Sequence, residues 1–291
     1  MKETCNRQLR QLLAQRKAVL LPGAANALTA RVIEDIGFKA IYVTGAGVTN
    51  TFLGVPDIGL ITLTELASHV SAMRAVVSLP LVVDADTGFG NPINVAHAIQ
   101  VLERSGANAI QLEDQDFPKR CGHFSGKSVI SRADMVQKIH AAVDARIDRD
   151  LVIIARTDAI AGNGFEDAIE RAAAYIEAGA DMTFVEAPRT KEQISEIPKR
   201  LAAPQFINIV AGGLTPIIGL DALEKMGFAM VLYANAALQA SLAGMQKVLG
   251  HLKAHGSLDG VSEHLASFEE RQRLVSKPRF DGLEKKYSSP D

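Results

Sequence analysis

Eight short runs of β-branched and other apolar residues alternate with helical patterns between residue 19 and about residue 250. They fall at 19–22, 40–44, 81–86, 109–114, 151–157, 182–186, 206–210 and 230–233. Within each run the apolar character is nearly continuous rather than alternating, which fits parallel strands buried on both faces. The stretches between them, such as 134–145 and 167–177, carry apolar residues at helical spacing. Strands that alternate with helices predict an α/β fold with a parallel sheet, and eight strands are the number that closes a (β/α)8 TIM-type barrel.

A weak internal repeat supports closure. Ile36-Gly37-Phe38-Lys39-Ala40, Ser105-Gly106-Ala107-Asn108-Ala109, Ala178-Gly179-Ala180-Asp181-Met182 and Met226-Gly227-Phe228-Ala229-Met230 share one grammar. In each, a glycine is expected to end a helix in the left-handed conformation shortly before a strand begins. These precede the second, fourth, sixth and eighth runs, whereas the third and seventh follow Pro80 and Pro204. An open doubly wound sheet would share that alternation. No low-complexity linker divides the 291 residues, which read as one barrel domain with a polar, helical C-terminal extension over about 251–291.

Composition narrows the function. A formal charge of −2 gives no general attraction to nucleic acid or anionic membrane. The apolar runs are interrupted well short of a membrane span, and the polar first 16 residues show no secretory signal. Two cysteines, Cys5 and Cys121, are no disulfide framework and suit a reducing cytoplasm. Cys5 is expected in a frayed terminus. His69, His97, His140, His251, His255 and His264 lie in helical patterns and read as surface or packing residues.

The C-terminal ends of barrel strands converge on one mouth, where active sites form. Here those ends carry Asp84, Asp86, Glu113, Asp114 and Glu186, with Asp57 in the loop after the second strand. So many carboxylates repel one another unless protons or a cation intervene. Oxygen donors without a His–Cys cluster favour Mg²⁺ or Mn²⁺ over zinc. The plainer alternative is that one or two of these acids, Asp114 above all, cap helices or pair with arginine. Arg156, ending the fifth strand, is suited to a bidentate grip on a substrate carboxylate, or else to a structural pair with a mouth acid. The small residues of Thr44-Gly45-Ala46-Gly47 let backbone N–H groups approach an anion, without matching a dinucleotide fingerprint. In Pro118-Lys119-Arg120-Cys121-Gly122-His123, two cations and a histidine favour the thiolate of Cys121 below a free-thiol pKa of roughly 8.5.

Together with Gly54-Val55-Pro56-Asp57, Asp84-Ala85-Asp86-Thr87-Gly88-Phe89-Gly90, Glu113-Asp114-Gln115 and Ala155-Arg156-Thr157-Asp158, this motif resembles the isocitrate lyase and phosphoenolpyruvate mutase superfamily over about residues 19–250. The resemblance is to its short members: 2-methylisocitrate lyase, 2,3-dimethylmalate lyase and carboxyphosphonoenolpyruvate mutase. It implies Mg²⁺ held by Asp84 and Asp86, with Asp57 and Glu113 bound through its waters. It implies substrate contacts from Thr44, Gly45, Ala46, Asp84, Gly122, Arg156, Asn208 and Thr215. Cys121, as the acid that protonates a product enolate, joins His123, Arg156 and Glu186 as the catalytic set. A homotetramer exchanging its last barrel helix is also implied. Two departures stand out: Ala211 and Leu214 occupy positions where relatives carry Glu and Lys.

The activity that follows is Mg²⁺-dependent retro-aldol cleavage of a small 2-hydroxy di- or tricarboxylate, giving an oxoacid such as pyruvate plus a second carboxylate. Rival readings are oxaloacetate decarboxylation or hydrolysis, P–C bond chemistry on a phosphonate, and a non-catalytic dicarboxylate-binding barrel.

Overall fold

A computed structural model describes residues 4–119, 128–210 and 212–288. The strands are β1 (Val19–Ala24), β2 (Ile41–Val43), β3 (Leu81–Asp84), β4 (Ala109–Glu113), β5 (Val152–Thr157), β6 (Met182–Val185), β7 (Gln205–Asn208) and β8 (Met230–Tyr233). They pair in chain order, all parallel, and β8 returns to β1 with Val19 opposite Met230 and Pro22 opposite Tyr233. The expected barrel is therefore closed, which excludes the open sheet. Gly37, Gly106, Gly179 and Gly227 all adopt positive φ, between 96° and 106°, as the repeat requires.

The helices are α1 (Cys5–Gln15), α2 (Ala27–Ile36), the single turn α3 (Gly45–Val48), α4 (Leu63–Arg74), α5 (Pro92–Arg104), α6 (Arg132–Ala145) and α7 (Phe165–Glu177). After them come α8 (Lys191–Arg200), α9 (Leu220–Met226), α10 (Ala236–His255), α11 (Phe268–Leu274) and α12 (Lys277–Tyr287). Inward side chains from all eight strands, including Tyr42, Phe184 and Phe206, fill the barrel. Phe206 packs on Phe184 with centroids 4.8 Å apart.

The floor of the barrel is sealed by α1, whose Leu9 and Leu13 join the interior cluster. Arg10 ties it down, donating to the Asp150 carbonyl at 2.9 Å and the Asp181 carboxylate at 3.1 Å. Cys5 is consequently not frayed: it opens α1 and its Sγ donates to the Ser78 carbonyl. With the floor filled, the opposite mouth of the barrel is the end open to a ligand.

Beyond the barrel the chain behaves differently. None of α10, α11 or α12 has a buried residue, and Leu242, Met245 and Leu249 of α10 are exposed. Among the described residues no helix is long and apolar enough to cross a membrane.

Candidate active site

The strand ends bring most of the expected residues to one chamber of about 440 Å³. Its walls include Thr44, Ala46, Asp57, Asp84, Glu113, Arg156, Glu186 and Asn208. Asp84 and Glu113 are the last residues of β3 and β4, and Arg156 is the penultimate residue of β5. Thr44 caps α3, its Oγ1 accepting the Gly47 N–H. A Cβ on Gly45 would sit 3.1 Å from Asp84 and 3.3 Å from Asp86, so a side chain there would press on both carboxylates.

Most strands differ from the expected runs by one or two residues at an end, and one of these differences bears on the site. The third strand ends at Asp84, because the backbone at Asp86 turns into the left-handed region, with φ 49°. Asp86 nevertheless reaches the mouth. Lys119 Nζ lies 2.7 Å from its Oδ1 and 2.6 Å from Asp57 Oδ1. Burial pulls the Lys119 pKa down, but Asp86, Glu113 and Asp57 outweigh it and hold the ammonium charged.

Arg156 is equally constrained. Its Nε and Nη2 donate to the two oxygens of Asp158 at 2.7 and 3.0 Å, its Nε lies 3.3 Å from Glu113, and its Nη2 lies 3.9 Å from Glu186. The guanidinium stacks over Phe184 at 5.1 Å. The structural reading of this arginine holds, since it pairs with mouth acids, and it also lines the chamber.

Charge in this space is unbalanced. Among the described residues, four carboxylates (Asp57, Asp84, Glu113, Glu186) line the chamber with two cations (Lys119, Arg156), and Asp86 and Asp158 pair with those cations from beside it. Burial, reinforced by Asp84 and Asp57 and opposed by Lys119, lifts the Asp86 pKa to about 6. Burial also pushes Glu113 well above the usual carboxylate range, against the pull of Arg156. Among the described residues, Glu113 Oε1 is buried with no hydrogen-bond partner, as is Asn208 Oδ1. Such a donor set fits a hard divalent cation. No three His, Cys, Asp or Glu side chains among the described residues form a ready-made cage.

Other expected residues stand apart. Thr215 is buried, but it is not among the chamber walls. Cys121, Gly122 and His123 lie outside the described residues, as does Ala211. Leu214 is 46% exposed. Asp114 follows the plainer alternative, accepting from Thr157, Tyr175 and the Asp158 N–H behind the chamber.

Sequence reasoning gave no site role to Tyr42, Lys119, Asp158 or Asn235. Tyr42 donates to Gln111, which donates on to Asp84. For Asp158 the signal was present, since alternation brings it to the same side as Arg156. Lys119 stood in the basic motif but was credited only with tuning Cys121. Asn235 reads as a helix cap, yet it makes no side-chain cap bond and lines the chamber.

The site has counterparts in known proteins. A sequence model of the family described as phosphoenolpyruvate phosphomutase matches residues 9–253. The chain is 39% identical over 282 residues to 2,3-dimethylmalate lyase of Eubacterium barkeri, covering 97% of this chain and 98% of the relative. It is 45% identical over 267 residues to 2-methylisocitrate lyase of Aeropyrum pernix, covering 92% and 86%. Among solved structures, an oxaloacetate acetylhydrolase bound to 3,3-difluorooxalacetate superposes with a TM-score of 0.92 at 33% identity, covering 99% of both chains. A phosphonopyruvate hydrolase complexed with oxalate and Mg²⁺ gives a TM-score of 0.89 at 30% identity, covering 98% of this chain and 99% of that one. Fold, motif order and similarity along almost the whole chain agree: the protein belongs to the phosphoenolpyruvate mutase/isocitrate lyase superfamily of enzymes.

Proposed function

We propose that this enzyme is a Mg²⁺-dependent lyase that cleaves a carbon–carbon bond in a small 2-hydroxy di- or tricarboxylate of the 2,3-dimethylmalate or 2-methylisocitrate type. The observation that carries the reading is Arg156 lining a chamber in which, among the described residues, four carboxylates outnumber two cations. A bound Mg²⁺ supplies Lewis-acid stabilisation of negative charge on substrate oxygens.

The chain's own residues do the rest. Arg156 holds the oxoacid-forming carboxylate, its plane fixed by Asp158 and Phe184. Glu186 and Asn208 also line the chamber and are assigned to contact a substrate hydroxyl. Breaking the C–C bond leaves an enolate, and Cys121, with His123 and Gly122 beside it, is assigned to its protonation. Thr44, Gly45 and Ala46 bring small side chains and backbone against the substrate. Thr215 is kept as a substrate contact on the resemblance alone.

A second reading, hydrolysis or decarboxylation of oxaloacetate, has equal structural support, since an oxaloacetate acetylhydrolase and a 2,3-dimethylmalate lyase each superpose with a TM-score of 0.92. Incubation with Mg²⁺ and a panel of acids separates the two. Pyruvate or glyoxylate without CO₂ from a hydroxy acid supports the lyase, and oxalate plus acetate, or CO₂, from oxaloacetate supports the alternative. Phosphate from phosphonopyruvate would point to P–C chemistry, and tight binding without turnover would leave only a binder.

We propose a homotetramer as well, because the exposed Leu242, Met245 and Leu249 of α10 and Phe268 and Phe280 beyond it call for a neighbouring chain. Sedimentation of a monomer at micromolar concentration would refute this. Placement in the cytoplasm rests on the two cysteines.

A further inference from the structure

Behind the chamber wall lies a polar network that the chemistry above does not use. Asp114, which follows β4, is fully buried. Its Oδ2 accepts the hydroxyls of Thr157 at 2.7 Å and Tyr175 at 2.8 Å and lies 3.4 Å from Arg171 Nη1. Its Oδ1 accepts the backbone N–H of Asp158 at 2.9 Å. Stapling β4, β5 and α7 together would account for such a cluster, but two further contacts point beyond stapling.

The first is the identity of that N–H. Asp158 is the residue whose carboxylate fixes Nε and Nη2 of Arg156. The second is where else Arg171 reaches. Its Nη1 donates to the Ile130 carbonyl at 2.9 Å and its Nε to Asp167 at 2.7 Å. Ile130 in turn donates its N–H to the Asp114 carbonyl at 2.9 Å. A single buried carboxylate therefore joins the holder of Arg156 to the chain returning toward α6.

We propose that Arg171 is a positioning residue which, through Asp114 and Asp158, sets the plane of the Arg156 guanidinium. This rests on the reading of Arg156 as the substrate-carboxylate ligand. Asp158 takes the Nε–Nη2 edge, and the Nη1–Nη2 edge, with Glu186 3.9 Å from Nη2, is assigned to a bidentate substrate contact. Such a contact tolerates misorientation of only roughly 10–20°. Lysine at position 171 keeps the charge and the reach to Asp167, but its single nitrogen cannot also hold Ile130 and Asp114 in a fixed fork.

The test uses oxalate with Mg²⁺ as a dicarboxylate probe, titrated calorimetrically into the full chain. Arg171→Lys is expected to weaken oxalate about tenfold, and the milder Tyr175→Phe about threefold. In an Arg156→Lys background, Arg171→Lys should cost less than about twofold, because the group it positions is gone. A merely structural role would lower the melting temperature in both backgrounds while leaving the affinity of the folded protein unchanged. Equal losses in the two backgrounds, or unchanged affinity in both single variants, overturn the proposal. If the unmodified protein fails to bind oxalate with Mg²⁺, the carboxylate-site reading falls and takes the positioning role with it.

Discussion

Replacing Lys119 with methionine removes the one ammonium set between Asp57 and Asp86 while nearly preserving side-chain volume. Lys119 is 3% exposed, with contacts of 2.6 and 2.7 Å to the two carboxylates. Breaking a buried pair by deleting one partner costs about 3–5 kcal/mol, because the other charge stays buried and uncompensated. At about 2 °C per kcal/mol for a chain of this length, the melting temperature should fall by about 6–10 °C. Divalent metal should restore part of this. In the unmodified protein, Mg²⁺ at about 100 times its Kd adds about 2.7 kcal/mol, and Lys119→Met should gain more, since its acids outnumber cations more severely. Differential scanning fluorimetry with and without Mg²⁺ reads both effects. A Lys119→Met variant that melts within about 1 °C of the parent, or that gains less from Mg²⁺, would refute the electrostatic reasoning.

Three other outcomes follow from the same structure. Gly23→Ala should cost about 3 kcal/mol or more in urea unfolding, since its Cβ would meet the Ala234 carbonyl oxygen at 1.9 Å and backbone cannot yield cheaply. Cys121→Ser should lower kcat by about 100-fold with KM little changed in steady-state assays, and unchanged turnover would remove the thiol from the chemistry. Burial of His69, against which Phe52 packs with centroids 5.1 Å apart, depresses its pKa in spite of the nearby Glu65. The folded state therefore binds that proton less readily than the unfolded chain. Stability should be full above the unfolded value near 6.5 and fall as pH drops through the depressed folded value, and His69→Gln should flatten this slope in denaturant melts between pH 7 and 5.

What could be read in the sequence was governed by local chemistry. The four cap glycines were legible because a left-handed helix end favours glycine whatever surrounds it. The eight strands were legible because burial on both faces leaves continuous apolar runs. Asp84, Glu113 and Arg156 were legible because a barrel directs its strand ends to one mouth. Asp86 arrived there by a different route, through a backbone turn that aspartate tolerates and that no apolar pattern encodes. The partners of Lys119 lie on two other loops, so the sequence offered only its neighbour Cys121 as a reason for the charge. Cys5 was misjudged for the same reason. Its helix is held by Ser78, Asp150 and Asp181, contacts that exist only once the barrel has closed.

Electron paramagnetic resonance of Mn²⁺ titrated into chelator-stripped protein tests the mouth most directly. Binding of about one ion per chain, abolished or greatly weakened by Asp84→Asn and Glu113→Gln, is the expected outcome, with turnover lost in chelator and restored by Mg²⁺. Undiminished turnover in chelator, or Mn²⁺ affinity untouched by both substitutions, would contradict the assignment of these carboxylates to a divalent ion.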